Sequence, residues 1–319
     1  MKKKLLILIS FSISILFILN FTKIFDLNIL KNYLDKLGLL SFIGCMLLYL
    51  SSFLLRALRW NFLISNEYKV PFKDLYKVNI LGYAANNILP LRLGEIVRAQ
   101  ILYKFYSISR SFSIGTIFIE RVFDLITILV FLIIGYFINF GNLDILIKFS
   151  NLIIFGMIFI LFFSLFIYKF KVFTKLSLTI NRFKYFSYLN NFFKSFKSLS
   201  CFLVLKIFFL SLLIWIVEIF VLQTLLLLLD IPKSFATSIF TVPILNLGLL
   251  IPSAPGYLGV FQSGFVFAFE KLNIEVGLGL SISIIFHFIQ YFPVTILGIY
   301  FFYKYKINLV TFLSKKINE

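Results

Sequence analysis

The chain has 319 residues, of which 61% are apolar and only 14% charged, with a formal net charge of +18. A soluble domain of this length could not hide so much apolar surface, so lipid is the solvent for most of it. The cations cluster between apolar runs, where membrane orientation places them, and do not indicate a nucleic-acid partner.

The apolar runs are long and continuous, which predicts helices, since barrel strands alternate over about ten residues. Lys2, Lys3 and Lys4 precede a first run over residues 5–21; no small-residue cleavage pattern follows, so it reads as an uncleaved span. A second span, about 37–58, closes on Arg56, Arg59 and Trp60, expected to anchor at the cytoplasmic interface. Further spans are expected at about 112–138, 152–168, 202–229 and 277–303. Within 172–199 apolar residues recur every three or four positions with Lys175, Arg182, Lys194 and Lys197 between them. That spacing predicts an amphipathic helix on the inner membrane surface, an elbow between two spans.

Two segments do not fit a simple span. Residues 75–90 would make about 22 Å of helix, short of the ~30 Å apolar core, and they run into Asn86, Asn87, Pro90 and Gly94. This predicts a hairpin entering from the cytoplasm and turning back. A second hairpin, over 234–269, enters from the outer side and breaks at Pro252, Pro255, Gly256 and Gly259. Irregular backbone at membrane depth survives only when buried in protein or lining a wet cavity. The expected fold is therefore an all-α transmembrane bundle, one integral domain over 1–319, with about six full spans and two re-entrant hairpins. Span, span, hairpin, span occurs within 1–140 and again within 150–305. Three spans per half would invert the second copy, as in many secondary transporters, whose site lies where the breaks meet. The distribution of Lys and Arg places both termini in the cytoplasm.

The densest ionisable group inside an apolar run is Glu120, Arg121 and Asp124, about 14 Å from the start of its span and so near the bilayer midplane. Each such charge costs about 2.5–3.5 kcal/mol on insertion scales, so the group must face protein or water. Glu120 and Asp124 share a helical face, and Arg121 reaches Asp124 at i,i+3. Packing alone would explain a salt bridge there; intramembrane charges more often mark a substrate or ion path. Arg92, Glu95 and Arg98 form a second stripe beside Asn86, Asn87 and Pro90, suited to a phosphate held by guanidinium groups beside a carboxylate that receives an amine. The Pro252, Pro255, Gly256 and Gly259 break, followed by Gln262, frees carbonyls and permits close backbone approach, as a headgroup wall, a hinge or a rigid loop. Glu218, His287 and Gln290 read as isolated interhelical hydrogen-bonding groups. Cys45 and Cys201 lack metal-ligand spacing and read as buried fillers, and a single histidine argues against a His-based metal site or triad. No metal and no cofactor are expected.

The stretches Asn86-Asn87-Ile-Leu-Pro90-Leu-Arg92-Leu-Gly94-Glu95-Ile-Val-Arg98, Glu120-Arg121-Val-Phe-Asp124 and Ile251-Pro252-Ser-Ala-Pro255-Gly256-Tyr-Leu-Gly259-Val-Phe-Gln262 together resemble the flippase-like, lysylphosphatidylglycerol synthase transmembrane region family, in the family's order and over nearly the whole chain. The resemblance implies movement of a lipid across the cytoplasmic membrane, such as an anionic or aminoacylated phospholipid or a polyprenyl-linked precursor. It carries no lysyltransferase expectation, because the chain ends at Glu319 without room for the soluble synthase domain. The rival readings are a non-transporting partner of a lipid-modifying enzyme or glycosyltransferase, an intramembrane enzyme and an ion transporter. Self-association and a membrane enzyme partner are both compatible with the sequence.

Overall fold

The computed structural model describes residues 2–22, 24–89, 93–141, 184–197, 199–231 and 234–307. Among these, eleven α-helices and no strand are present: α1 (Lys2–Thr22), α2 (Leu27–Leu37), α3 (Leu39–Ile64), α4 (Phe72–Ile88), α5 (Gly94–Tyr106), α6 (Arg110–Phe140), α7 (Lys184–Lys197), α8 (Cys201–Leu228), α9 (Ser234–Gly248), α10 (Val260–Lys271) and α11 (Val276–Lys304). The protein is an all-α membrane helical bundle. By length and composition α3, α8 and α11 can each cross a bilayer. At 31 residues α6 is as long, but Glu120, Arg121 and Asp124 interrupt its apolar stretch. The expected span at 152–168, the first part of the 172–199 helix, Pro90 and Arg92 lie outside the described residues.

The two short apolar segments form helical hairpins. In the first, α4 and α5 pack side by side, and a Cβ on Gly94 would collide with the Gly82 carbonyl. Helices approach this closely only where side chains are absent. Asn86 closes the turn, its Oδ1 accepting from the Gly94 amide at 2.7 Å. In the second, α9 and α10 pack together and the connection contains a single 3₁₀ turn, Pro255–Tyr257. Gly256 and Gly259 there take φ of 71° and 84°, values that favour glycine.

One end of the bundle is tied by the Lys194–Glu67 ion pair at 2.7 Å and by the Phe105 and Tyr305 rings. The other is tied by Lys36, which pairs with Asp230 at 2.9 Å and donates to the Leu229 carbonyl. Lys36 belongs to α2, a short amphipathic helix capped by Asp26 where only a loop was expected. The described part of the amphipathic segment, α7, packs on α6 at Gly115, with Phe192 and Phe196 against Phe118. Cys45 is buried as expected, but Cys201 is exposed at the first residue of α8.

Candidate functional site

The largest correction concerns Arg56, Arg59 and Trp60. They are not an interfacial anchor: their exposures are 5%, 1% and 0%. Each charge is buried because its partner comes from a distant helix. Arg59 forks onto Asp124 of α6, at 2.6 and 3.3 Å, and also donates to Ser211 of α8. The Trp215 indole adds a third donor to Asp124 at 3.2 Å. Arg98 of α5 pairs with Glu120 at 2.7 Å and lies over the Trp60 ring, while Arg59 Nε is 3.5 Å from the other Glu120 oxygen. Trp60 is held by its own bond to Thr116. Buried charges persist when they are paired and hydrogen-bonded in this way.

This network divides the expected stripe of Arg92, Glu95 and Arg98. Arg98 is sealed behind Trp60 with Glu120 and faces no open space, contrary to the expectation that both would touch a headgroup. Glu95 instead lines a cavity of about 360 Å³, within the ~300–1,000 Å³ range of small-ligand sites.

The cavity lies where the hairpin breaks meet. Asn86, Asn87 and Glu95 come from the first hairpin, Asn246, Leu250 and Tyr257 from the second, Arg121 and Asp124 from α6, and His287 and Gln290 from α11. A Cβ on Gly256 would stand 3.5 Å from the Asn87 carbonyl and 2.9 Å from the Tyr291 ring, so the two breaks almost touch. Asn87 pins the first break to α11 through Thr295 at 2.8 Å. At the floor, Arg56 pairs with Glu218 at 2.9 Å, and Gln290 donates to the second Glu218 oxygen at 3.1 Å. The Tyr83 hydroxyl accepts from both Arg56 and Arg121, at 2.8 and 3.1 Å.

Arg121 is the least satisfied cation of the group. Its side chain is 40% exposed, its distance to Asp124 is 3.5 Å, and Arg59 already occupies both oxygens of that carboxylate. The Arg121 Nε is buried without a hydrogen-bond partner, as are those of Arg56, Arg59 and Arg98, so exposure and the long distance to Asp124 are what set Arg121 apart. Phe118 and Leu250, which also line the cavity, are 38% and 63% exposed. A smaller cavity of about 150 Å³, lined by Ser10, Pro252 and Ser253, shares Asn86, Leu250 and Tyr257 with the larger one.

Of the residues singled out in the sequence, Asn86, Asn87, Glu95, Arg121 and Asp124 line the main cavity and Pro252 the small one. Pro255, Gly256 and Gly259 shape the second break. Gln262 stands behind it, its Oε1 accepting from the Gly259 amide and its Nε2 bonded to His287 Nδ1. Glu218 is one half of an ion pair, where an isolated hydrogen-bonding group was expected. Arg56, Tyr83 and Asn246 were not foreseen as cavity residues. For Arg56 the signal was present, since it falls inside the apolar run assigned to its own span. Among the described residues, no cluster of three His, Cys, Asp or Glu could hold a metal ion.

A helical bundle that buries paired charges around an internal cavity, with several apolar helices facing lipid, is a multi-pass membrane protein. The chain belongs to the lysylphosphatidylglycerol synthase TM region family, whose model matches residues 7–298. A UPF0104 membrane protein of Methanocaldococcus jannaschii is 28% identical over 225 residues, covering 70% of this chain and 95% of that one. No solved structure matches the chain.

Proposed function

We propose that the protein moves a membrane lipid, a phospholipid or a polyprenyl-linked lipid, across the cytoplasmic membrane without chemically altering it. The lipid headgroup occupies the main cavity while its acyl or prenyl chains remain in the bilayer. What supports this reading is Arg121: a half-exposed guanidinium in a mainly apolar cavity, whose nearest carboxylate is already held by Arg59. A phosphate oxygen would supply the charge-assisted bond that Asp124 does not. Glu95 and the amides of Asn86, Asn87, Asn246 and Gln290 set further polar groups in the otherwise apolar lining, where a headgroup could reach them. Phe118 and Leu250 line the cavity and are exposed outside it, so they mark where chains would trail into lipid. The sealed Arg59, Arg98, Glu120 and Asp124 network supports this wall and has no contact with the ligand apart from the face of Asp124. The sequence holds no nucleotide-binding motif, so passage is downhill or ion-coupled. Both termini lie in the cytoplasm, on the side richer in Lys and Arg.

Translocation of fluorescent headgroup-labelled lipids in proteoliposomes tests the reading. Loss of one charge-assisted bond, about 1.5–3 kcal/mol, predicts that Arg121→Gln slows movement roughly tenfold or more. Equal rates for wild type, Arg121→Gln and Glu95→Gln would end the site assignment.

A further inference from the structure

The helix contacts repeat themselves. α3 packs on α4 as α8 packs on α9; α4 pairs with α5 as α9 pairs with α10; α5 lies on α6 as α10 lies on α11. Between the halves, α4 packs on α11 and α9 on α6, while α3 packs on α11 and α8 on α6. α3 and α8 pack extensively on each other. Two copies related by a two-fold axis in the membrane plane generate this pattern, with α3 and α8 meeting on the axis in opposite directions.

Individual residues obey the same relation. Arg56 and Glu218, the ion pair at 2.9 Å, are equally far from the starts of their helices at Leu39 and Cys201. Asp124 and Gln290 are equally far from Arg110 and Val276, and so are Arg121 and His287. All six line the same cavity. Each terminal helix also backs onto the opposite hairpin through a glycine, although not at matching positions along the helices. Gly135 of α6 meets Ile239 of α9, and Gly298 of α11 meets Ala84 of α4.

We infer that α3–α6 and α8–α11 are inverted half-repeats related by a two-fold axis through the Arg56–Glu218 pair, and that this pair is the pivot about which the cavity changes the face it opens to. The repeat stands on packing alone; the pivot rests on the transport reading. Two inverted copies of one architecture can exchange conformations at little cost in energy, producing a second arrangement that opens the opposite way. Most cross-half contacts change in such an exchange. A pair on the axis keeps its partner in both arrangements, so its two buried charges are never separated.

Two measurements test this. Single cysteines at Asn246 and Leu125, in a background lacking Cys45 and Cys201, are exposed to a membrane-impermeant thiol reagent from each face of sealed vesicles. Labelling from both faces is expected, and labelling from one face alone overturns the exchange. The second measurement is folded yield. Arg56→Glu and Glu218→Arg are each expected to lose most of the folded protein, and the double swap to regain it, because each residue then occupies its counterpart's place. The swap Arg98→Glu with Glu120→Arg lies off the axis, where neither residue has the other as its counterpart, and should regain nothing. A swap at 56 and 218 no better than the single variants overturns the placement of the axis. Labelling requires no lipid movement, so two-faced labelling without translocation would sink the transport reading and the pivot's role in it, and leave the repeat and the exchange between faces standing.

Discussion

Arg98 lies flat over the indole of Trp60, its guanidinium carbon 3.9 Å from the ring centroid. The ring covers one face of a charge that pairs edge-on with Glu120, and both side chains are sealed from solvent. Stacking of this kind is available to Arg and not equivalently to Lys, because the guanidinium is planar and weakly hydrated. The stack turns the end of α3 and the start of α5 into one supporting wall behind the cavity.

Removing one partner of that pair strands the other in a dry site, which costs about 3–5 kcal/mol. Arg98→Met and Glu120→Gln should therefore each lower thermal stability in detergent sharply. The double variant Arg98→Met/Glu120→Gln is expected to melt above both singles, since no lone charge remains. A double variant less stable than either single would mean that the pair is not the unit holding this wall.

Arg59 and Arg121 share Asp124 but should respond in opposite ways. Arg59 is 1% exposed and forked onto the carboxylate, so Arg59→Gln is expected to reduce folded yield. Arg121 is half-exposed to the cavity, so Arg121→Gln should melt within about 1 kcal/mol of wild type while losing lipid movement. Melting curves beside translocation rates, measured on the same preparations, check the split.

Gly256 and Gly141 both take positive φ, 71° and 64°, but only Gly256 has a ring against it. Alanine at either position incurs the left-handed cost of roughly 1–2 kcal/mol. At Gly256 the new methyl must also displace Tyr291. Gly256→Ala should consequently melt below Gly141→Ala and, by opening the contact between the two breaks, also slow lipid movement. Matching melting temperatures and rates would show that the close approach of the breaks is unimportant.

The orientation is open to direct labelling. Lys306, after the end of α11, should react as Lys306→Cys with an impermeant reagent only from the cytoplasmic side. Asp230, whose side chain is 81% exposed after α8, should react as Asp230→Cys only from the outside. The reverse pattern would invert the assigned topology.

Hydropathy alone located α1, α3, α6, α8 and α11, because a span must hide its backbone bonds within an apolar run of known length. Asn86, Pro252, Pro255 and Gly256 revealed both hairpins for the complementary reason: helix breakers in apolar context need shelter. What could not be read was the pairing of the charges. Arg56 meets Glu218 across 162 residues and Arg59 meets Asp124 across 65. Arg56 and Arg59 stand beside Trp60 at the end of a span, where an anchor and a buried ion pair look alike in one dimension. Glu95 and Arg98 are three residues apart and face one cavity and one sealed wall.

Local composition thus determined that the chain lives in lipid, where its helices run and where they break, since those choices depend on each segment's own free energy of transfer. Which guanidinium is buried with which carboxylate, and which is left facing open space, was decided by tertiary packing. The cost of an unpaired charge in a low-dielectric interior falls on whichever helices are brought together, and sequence spacing does not record that.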